Sequence, residues 1–313
     1  MLTIENRLPA DFRSSALRAD VSAGLNRAPK SLSSKWFYAA QEPAHLTADA
    51  ERSTLSQLSG TLARLTKAHT LVELGPAAPE KTRLLLDALH PGGTLRSYVG
   101  VDADAPTLIA GCDRLARDHP HLAVRAVVSD FHEPMGIPAS PPREQKLVTL
   151  LGSRIGNMVP AQRAAFFARV RSQLRPGDAL LLGTDLVKNP RLLAFDYHDS
   201  EGVAAARNKN VLFVLNSELG ANFDPDAFEH VALWVPDTEW MEMRLRATSR
   251  LRIHVPGIGQ TLDFAAGEEM RTVISAKFRR IGIAREMIAA GLAMRAWWAD
   301  PGDQYGLSLA TRV

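Results

Sequence analysis

Cysteine is almost absent from this chain of 313 residues, which contains only Cys112. A single cysteine excludes an internal disulfide framework and any zinc site built from several cysteines. Long apolar runs are also missing, since no stretch approaches the ~20 residues that a membrane helix needs. The N-terminus carries charges where a signal peptide would have its apolar core. We therefore expect a cytoplasmic protein without a membrane partner.

An excess of one charge is lacking too, because 37 basic residues oppose 34 acidic ones and leave a net charge of +3. The two signs are interspersed, and no polybasic run or basic–aromatic strip occurs, so we expect no nucleic-acid partner. The histidines lack the spacing to carboxylates that a metal site needs, so no metal is expected. The 46% of hydrophobic residues supports a large core, and no feature assigns an oligomeric state.

Residues 66–190 alternate apolar strands with helices. The expected strands are 69–74, 97–104, 123–131, 146–153 and 179–186. Strands that are apolar throughout and separated by helices predict a parallel sheet covered by helices on both faces. This segment is the expected α/β core.

The remaining segments predict a second, smaller lobe. Residues 1–34 are polar and irregular, and one helix is expected over 45–65. A helix over 190–207 would carry Tyr197, and the alternation of apolar and polar residues over 229–255 is typical of half-exposed antiparallel strands. We expect residues 1–65 and 191–265 to form this lobe. Residues 266–313 are expected to return to the core sheet, with a helix–strand pair formed by residues 264–278 and 294–313.

Candidate ligand residues follow the expected strands, because ligands of such sheets bind beyond the carboxyl ends of the strands. Gly75 follows the first strand and Asp102 ends the second. In nucleotide sites a glycine admits the ligand and a carboxylate binds ribose hydroxyls. The loop that begins at Gly75 contains only this glycine, which argues against a dinucleotide-binding site and therefore against a hydride-transfer enzyme. Taken alone, Gly75 is equally consistent with an ordinary turn between a strand and a helix. Asp130 and Phe131, which end the third expected strand, suit an adenine ring.

Gly152 lies at the end of the fourth expected strand, and Asn157 follows shortly after it. The glycine leaves space for a substrate, and the amide can both donate and accept hydrogen bonds. Asn157 also fits as the N-terminal cap of the helix that begins near Pro160. Consecutive strand ends with nucleoside-compatible chemistry favour a ligand site over a series of separate turns.

Several motifs along nearly the whole chain resemble one family. They include SKWFY at 34–38, LVELG at 71–75, EKTR at 80–83, IGN at 155–157, GTDLVK at 183–188, NKNV at 208–211, FAAGEEM at 264–270 and YGLSLA at 305–310. On these motifs the chain is identified as a member of the histidine-specific S-adenosylmethionine-dependent methyltransferases of the ergothioneine type, which have fungal amino-acid N-methyltransferase relatives.

The resemblance implies a class I methyltransferase fold, which is α/β and Rossmann-like with a mainly parallel sheet, and a smaller α+β lobe. It implies S-adenosylmethionine as cofactor, S-adenosylhomocysteine as product, no metal, and a free amino acid as substrate. The implied catalytic residues, which hold the amino-acid head group, are Asn157 and Tyr197. The implied cofactor contacts are Tyr38, Gly75, Lys81, Asp102, Asp130 and Phe131. The implied substrate-binding residues are Gly152, Arg154, Met243, Val273 and Ser275.

Two of these positions depart from the family pattern. Val273 stands where members usually carry a glutamate that can bond an imidazole N–H, and Arg154 stands where a threonine is general. Arg154 fits either a substrate carboxylate or a structural salt bridge. Residues 41–49 also lack the tyrosines that would pack on an imidazole.

These departures predict a change of substrate. A buried polar residue discriminates strongly between substrates, whereas an apolar wall does so weakly. We therefore expect histidine to be a poor substrate and S-methylation of methionine to be the reaction. Nα-methylation of histidine or another amino acid is one alternative, and an inactive paralogue that binds the cofactor is another.

Overall fold

The computed structural model describes residues 1–36, 47–58, 60–76, 79–130, 135, 137, 141, 143–190, 193, 197 and 202–313. The chain divides into two compact units. The core unit comprises Met1–Leu8, Ala44–Val187 and Phe278–Val313, and the lobe comprises Pro9–Pro43 and Lys188–Lys277.

The described strands and helices are numbered along the chain. The strands are β1 (Leu2–Asn6), β2 (Ala68–Leu74), β3 (Ser97–Asp102), β4 (Ala123–Val128), β5 (Gln145–Leu150), β6 (Ala179–Asp185), β7 (Phe228–Val235), β8 (Trp240–Ala247), β9 (Leu251–Val255), β10 (Gln260–Phe264), β11 (Glu269–Ala276), β12 (Leu292–Ala299) and β13 (Tyr305–Arg312). The helices are α1 (Phe12–Leu25), α2 (Ala48–Gln57), α3 (Thr61–Thr66), α4 (Pro79–Leu89), α5 (Ala105–Asp118), α6 (Pro160–Gln173), α7 (Val203–Leu219) and α8 (Arg280–Ala289).

An eight-stranded sheet organises the core unit. Its strand order is β1-β4-β3-β2-β5-β6-β13-β12, and all pairs are parallel except those of β13 with β6 and with β12. The central strands are buried on both faces, as their apolar sequences predict. The fold is therefore α/β and Rossmann-like, of the class I methyltransferase type. The strand order reverses between β2 and β5, and ligands bind at such a point in open α/β sheets.

The N-terminal part of the chain differs from the expectation. Residues 1–34 contain the strand β1 and the helix α1, and the single helix expected over 45–65 is the pair α2 and α3. Because β1 pairs with β4, residues 1–8 belong to the core unit, as do α2 and α3. In α1 the buried residues Leu17, Val21 and Leu25 recur every four positions, which is a helical spacing that the sequence contains.

The C-terminal boundaries differ as well. The strand β11 pairs with β8, so residues 266–277 belong to the lobe instead of the core sheet. The helix–strand pair expected from residues 264–278 and 294–313 is not found: the first segment forms the strand β11, and the second lies in the antiparallel hairpin of β12 and β13. The helix α8 lies between these two segments. The helix expected over 190–207 falls partly outside the described residues, and α7 begins only at Val203.

Antiparallel strands and helices build the lobe. The strands pair in the order β11-β8-β7, and β9 pairs with β10 in a separate two-stranded sheet. Phe223, Phe228 and Phe264 pack together with centroid distances of 5.5–6.4 Å, and residues of α1 and α7 join the same hydrophobic cluster. A register shift in β11 falls between Arg271 and Val273.

None of the described helices is long and apolar enough to cross a membrane.

Cys112 packs in the hydrophobic cluster of the core unit, where only 2% of its surface is exposed. Burial raises the pKa of the Cys112 thiol to about 12, and the nearby Glu73 carboxylate adds to the rise. The thiolate is the reactive form, so we expect native protein at pH 8 to react with iodoacetamide about a thousandfold more slowly than protein unfolded in urea. Mass spectrometry of the alkylated chain measures both rates, and comparable rates would contradict this burial.

Candidate active site

Gly75 follows β2 at the point where the strand order of the core sheet reverses. It has φ +65° and donates its N–H to the carbonyl of Val101 at 2.8 Å. A Cβ atom built on Gly75 would lie 2.6 Å from Nη1 of Arg154. The Arg154 guanidinium therefore lies directly over the glycine, and two of the predicted site residues are neighbours.

Two carboxylates lie at the ends of the next strands. Asp102 is half-buried at the end of β3 and accepts a hydrogen bond from the N–H of Asp104 at 2.9 Å. Burial raises the pKa of the Asp102 carboxyl, and attraction to the Arg154 guanidinium opposes the rise. Ser129 donates its N–H to the Asp102 carbonyl at 3.0 Å, and Asp130 beside it is buried. The predicted contacts Tyr38 and Phe131 lie outside the described residues.

Glu51 forms a buried network at the same edge of the core sheet. The side chain of Glu51 on α2 is 2% exposed, and its Oε2 pairs with Nζ of Lys81 on α4 at 2.9 Å. Its Oε1 accepts the N–H of Gly152 at 2.8 Å and a very short hydrogen bond from the hydroxyl of Tyr305. Burial, and then the Glu51 charge, raise the pKa of Tyr305 well above its ordinary value. One carboxylate thus fixes two predicted site residues, Lys81 and Gly152.

Sequence reasoning missed Glu51 and Tyr305. Glu51 lies four positions before the buried Leu55, and Leu58 and Leu62 follow at helical spacing. A carboxylate on the apolar face of an amphipathic helix is a signal of a buried charge with a partner. The identity of that partner depends on tertiary structure.

A second buried carboxylate secures β2. Glu73 accepts hydrogen bonds from the hydroxyls of Thr82, at 2.7 Å, and Tyr98, at 2.9 Å. Burial raises the pKa of Glu73, and these two hydrogen bonds oppose the rise. Its partners lie on α4 and β3, so Glu73 fixes the strand end from which Gly75 follows.

Ser153 contributes an unsatisfied polar atom next to Gly152. It is 8% exposed with φ +59°, and its buried hydroxyl forms no hydrogen bond with any described residue. Such an orphaned group costs about 1–3 kcal/mol, which a polar ligand atom would recover. Carboxylates at 102 and 130 can accept from ribose and adenine, and a guanidinium can pair with an amino-acid carboxylate. The residues present therefore fit S-adenosylmethionine.

Asn157 does not cap the helix that follows it. It ends a short 3-10 helix, Arg154–Asn157, whereas α6 begins at Pro160 after the cap residue Val159. The N–H of Val159 donates to the Gln162 side chain at 3.0 Å. The capping interpretation of Asn157 is therefore wrong, and its assignment to a substrate stays a prediction.

Four predicted site residues come together within the lobe. Val273, which is 2% exposed, lies opposite Met243 in the pairing of β11 with β8, and both pack with Tyr197. Ser275 is two residues further along β11, opposite Met241. Because strand side chains alternate between faces, Val273 and Ser275 share one face of the sheet. Gly152, Arg154 and Asn157, which were also predicted to bind substrate, belong to the core unit.

A buried lysine that sequence reasoning missed joins two of these residues. Nζ of Lys277 donates to the hydroxyl of Tyr197 at 3.0 Å and to the hydroxyl of Ser275 at 2.9 Å. Lys277 lies two positions after Ser275 and four after Val273. This strand spacing is the signal that could have assigned it to the same face.

A polar chain supports the backbone of Tyr197. Asn208 on α7 is fully buried and lies 2.9 Å from Nδ1 of His230 through its Nδ2. Nε2 of His230 lies 3.0 Å from the Tyr197 carbonyl. If Nε2 carries the proton and donates to that carbonyl, Nδ1 accepts from the Asn208 amide. The side-chain oxygen of Asn208 accepts from the hydroxyl of Thr272.

The family described as "Histidine-specific methyltransferase, SAM-dependent" matches residues 17–312. The chain is 44% identical over 321 residues to a histidine N-alpha-methyltransferase of Mycolicibacterium smegmatis, with 99% of each chain covered. It is 43% identical over 321 residues, again with 99% of each covered, to a histidine N-alpha-methyltransferase of Mycobacterium tuberculosis. It is 26% identical over 283 residues to an N-methyltransferase of Aspergillus fumigatus, covering 85% of this chain and 73% of that one.

These matches extend over almost all of the chain, and two of the relatives share more than two-fifths of its residues. The expectations of a methyltransferase and of its cofactor are confirmed. The chain belongs to the histidine-specific S-adenosylmethionine-dependent methyltransferases, and S-adenosylmethionine is its cofactor.

Proposed function

We propose that this enzyme methylates the α-amine of histidine. The observation that carries the proposal is 44% identity over 99% of the chain to a protein named histidine N-alpha-methyltransferase. A second relative with 43% identity has the same name. Similarity of this extent along the whole chain supports a common substrate better than the few local departures from the family pattern argue against it.

The prediction that methionine is methylated on sulfur is wrong, since both of these relatives are named for histidine and for nitrogen. The error came from letting the apolar Val273 and the missing tyrosines of residues 41–49 decide the substrate. Val273 and Met243 are apolar, but Ser275 lies on the same face of β11 and is hydrogen-bonded to Lys277. The lobe surface is therefore not a purely apolar wall, and a polar ring nitrogen can find a hydrogen-bonding group there.

The core unit supplies the residues for the cofactor. S-adenosylmethionine, when bound, supplies an electrophilic methyl group. We assign the ribose hydroxyls to Asp102, the adenine to Asp130, and the close backbone approach to Gly75. Lys81 takes part through an ammonium group that the buried Glu51 holds in place.

Asn157 and Tyr197 are assigned to the amino-acid head group. Methyl transfer needs the nucleophile about 3 Å from the methyl group and in line with the bond that breaks. An α-ammonium has no free electron pair, so it must lose a proton before it can attack. By orienting the head group, Asn157 and Tyr197 would direct the deprotonated α-nitrogen toward the methyl group.

Product analysis with an isotopically labelled methyl donor tests this function. We expect histidine to gain up to three methyl groups in mass spectrometry, with an initial rate that rises with pH as the α-amine deprotonates. Methionine, offered in parallel, is expected to remain unmodified. Methylation of another amino acid with histidine inert would overturn the proposed substrate, and binding of cofactor without any transfer would indicate an inactive paralogue.

A further inference from the structure

Lys277 is a buried cation placed against two hydroxyl groups of the lobe. Its surface is 4% exposed, and its N–H donates to the Glu239 carbonyl at 2.8 Å, which anchors the backbone. Its Nζ lies 3.0 Å from the Tyr197 hydroxyl, 2.9 Å from the Ser275 hydroxyl and 5.1 Å from the centre of the Tyr197 ring. The ammonium is thereby held in one position.

The chemistry of an ammonium group dictates the direction of these hydrogen bonds. Lysine carries three N–H donors and no acceptor. Both hydroxyl oxygens therefore accept from Lys277, and the proton of each hydroxyl must point to a different acceptor. A hydroxyl that accepts from a cation is also polarised and donates more strongly. Tyr197 and Ser275 thus become donors.

We propose that Lys277 is a positioning residue that makes the Tyr197 and Ser275 hydroxyls donors toward the substrate. The Tyr197 hydroxyl then suits the carboxylate of the amino acid. The Ser275 hydroxyl suits a side chain with an unprotonated ring nitrogen, which is a hydrogen-bond acceptor. This inference rests on the proposed function, and it adds that the imidazole is held through its acceptor nitrogen.

The apolar neighbours of Ser275 strengthen the requirement for an acceptor. Val273 and Met243 are both buried and present carbon and sulfur atoms on the same face of the sheet. A side chain that lies against them finds its polar partner at Ser275. A substrate ring without an acceptor nitrogen would leave the Ser275 donor unpaired, and an unpaired buried donor is strongly unfavourable.

Binding measurements on three variants test this assignment. Calorimetry with S-adenosylhomocysteine present gives the affinities for histidine and for β-(2-thienyl)alanine, which has a similar aromatic ring without nitrogen. Ser275→Ala is expected to weaken only histidine, at least tenfold, and Tyr197→Phe to weaken both amino acids equally. Lys277→Met is expected to weaken both and to reduce the preference for histidine at least tenfold. The double variant Lys277→Met, Ser275→Ala should show no further loss of preference than Ser275→Ala, because both substitutions act on the same hydrogen bond, from the Ser275 hydroxyl to the ring nitrogen.

Lys30→Met is the matched control. Lys30 is also a partly buried lysine of the lobe, but it pairs with the Glu268 carboxylate and lies 4.6 Å from the centre of the Phe264 ring. We expect the Lys30→Met variant to prefer histidine over β-(2-thienyl)alanine as strongly as the wild-type enzyme does. An unchanged preference in Lys277→Met, with a fold shown intact by circular dichroism, would overturn the role of Lys277. Absence of histidine methylation by the wild-type enzyme would instead overturn the proposed function.

Discussion

Replacing Glu51 by glutamine is expected to lower the free energy of unfolding by about 3–5 kcal/mol, the range for breaking a buried ion pair. Glutamine keeps the size of the side chain but removes the charge that faces Lys81 at 2.9 Å. Its amide also offers one acceptor atom in place of two, although the Lys81 ammonium, the Gly152 N–H and the Tyr305 hydroxyl all donate to Glu51. Urea unfolding followed by circular dichroism measures the change.

The surface pair of Asp113 and Arg117 provides the matched control. Its atoms lie 2.8 Å apart, as close as those of the buried pair, but the two side chains are 54% and 71% exposed. Asp113→Asn is therefore expected to cost less than about 0.5 kcal/mol. Glu51→Gln combined with Lys81→Met should be less destabilised than Glu51→Gln alone, because no unpaired ammonium remains. A loss below 1 kcal/mol in Glu51→Gln would contradict the buried network.

The central strands could be predicted from the sequence because each contains a short run of mostly apolar, buried residues. The expected starts of β2 to β6 fall within one residue of the observed ones. The expected end of β2 matches the observed one, whereas the expected ends of β3 to β6 run one to three residues too far. The polar strand ends leave the sheet there; Gly152 and Ser153, for example, have left-handed backbones. The edge strand β1 was missed because five residues of mixed character carry little signal, and its pairing with β4 depends on the finished sheet.

Site residues divide along a similar line. The placement of Gly75 and Asp102 at strand ends could be predicted, since strand ends and turn residues are local features of a sequence; their roles toward the cofactor stay predictions. Glu51 and Lys277 were missed, because each has partners far away along the chain: Gly152 and Tyr305 for Glu51, and Tyr197 for Lys277. The substrate was misjudged for the same reason. The character of Val273 is local, whereas the hydrogen bond between Lys277 and the Tyr197 hydroxyl joins residues 80 positions apart.

Replacing Asp102 by asparagine is expected to weaken S-adenosylmethionine binding at least tenfold and, in the same variant, to stabilise the cofactor-free protein. A carboxylate that accepts from ribose hydroxyls forms charge-assisted hydrogen bonds worth about 1.5–3 kcal/mol each, which a neutral amide cannot match. Burial raises the pKa of Asp102 in the folded protein, so its charged form is less favourable there than in the unfolded chain. Calorimetry measures the affinity, and thermal unfolding measures the stability.

The pH dependence of stability separates the two effects. Because the folded pKa of Asp102 is raised, the native state binds more protons than the unfolded state between the two pKa values. Wild-type stability therefore falls as pH rises from the ordinary pKa of an aspartate, about 4, through the raised one. Asp102→Asn lacks this group, so its advantage in thermal midpoint should be absent at low pH and greatest at neutral pH.

The variant Asp104→Ala is the matched control and should lose stability while it keeps its affinity for the cofactor. Asp104 caps α5 by accepting hydrogen bonds from the N–H and the hydroxyl of Thr107 at 3.3 and 3.0 Å. Loss of this cap costs about 1 kcal/mol of stability, while the affinity for S-adenosylmethionine should stay within about threefold of the wild type. The two aspartates are two residues apart at one strand end, so a general disturbance of that end would affect both variants alike. If Asp102→Asn loses stability or keeps its affinity, Asp102 supports the fold and the ribose contact must be assigned elsewhere.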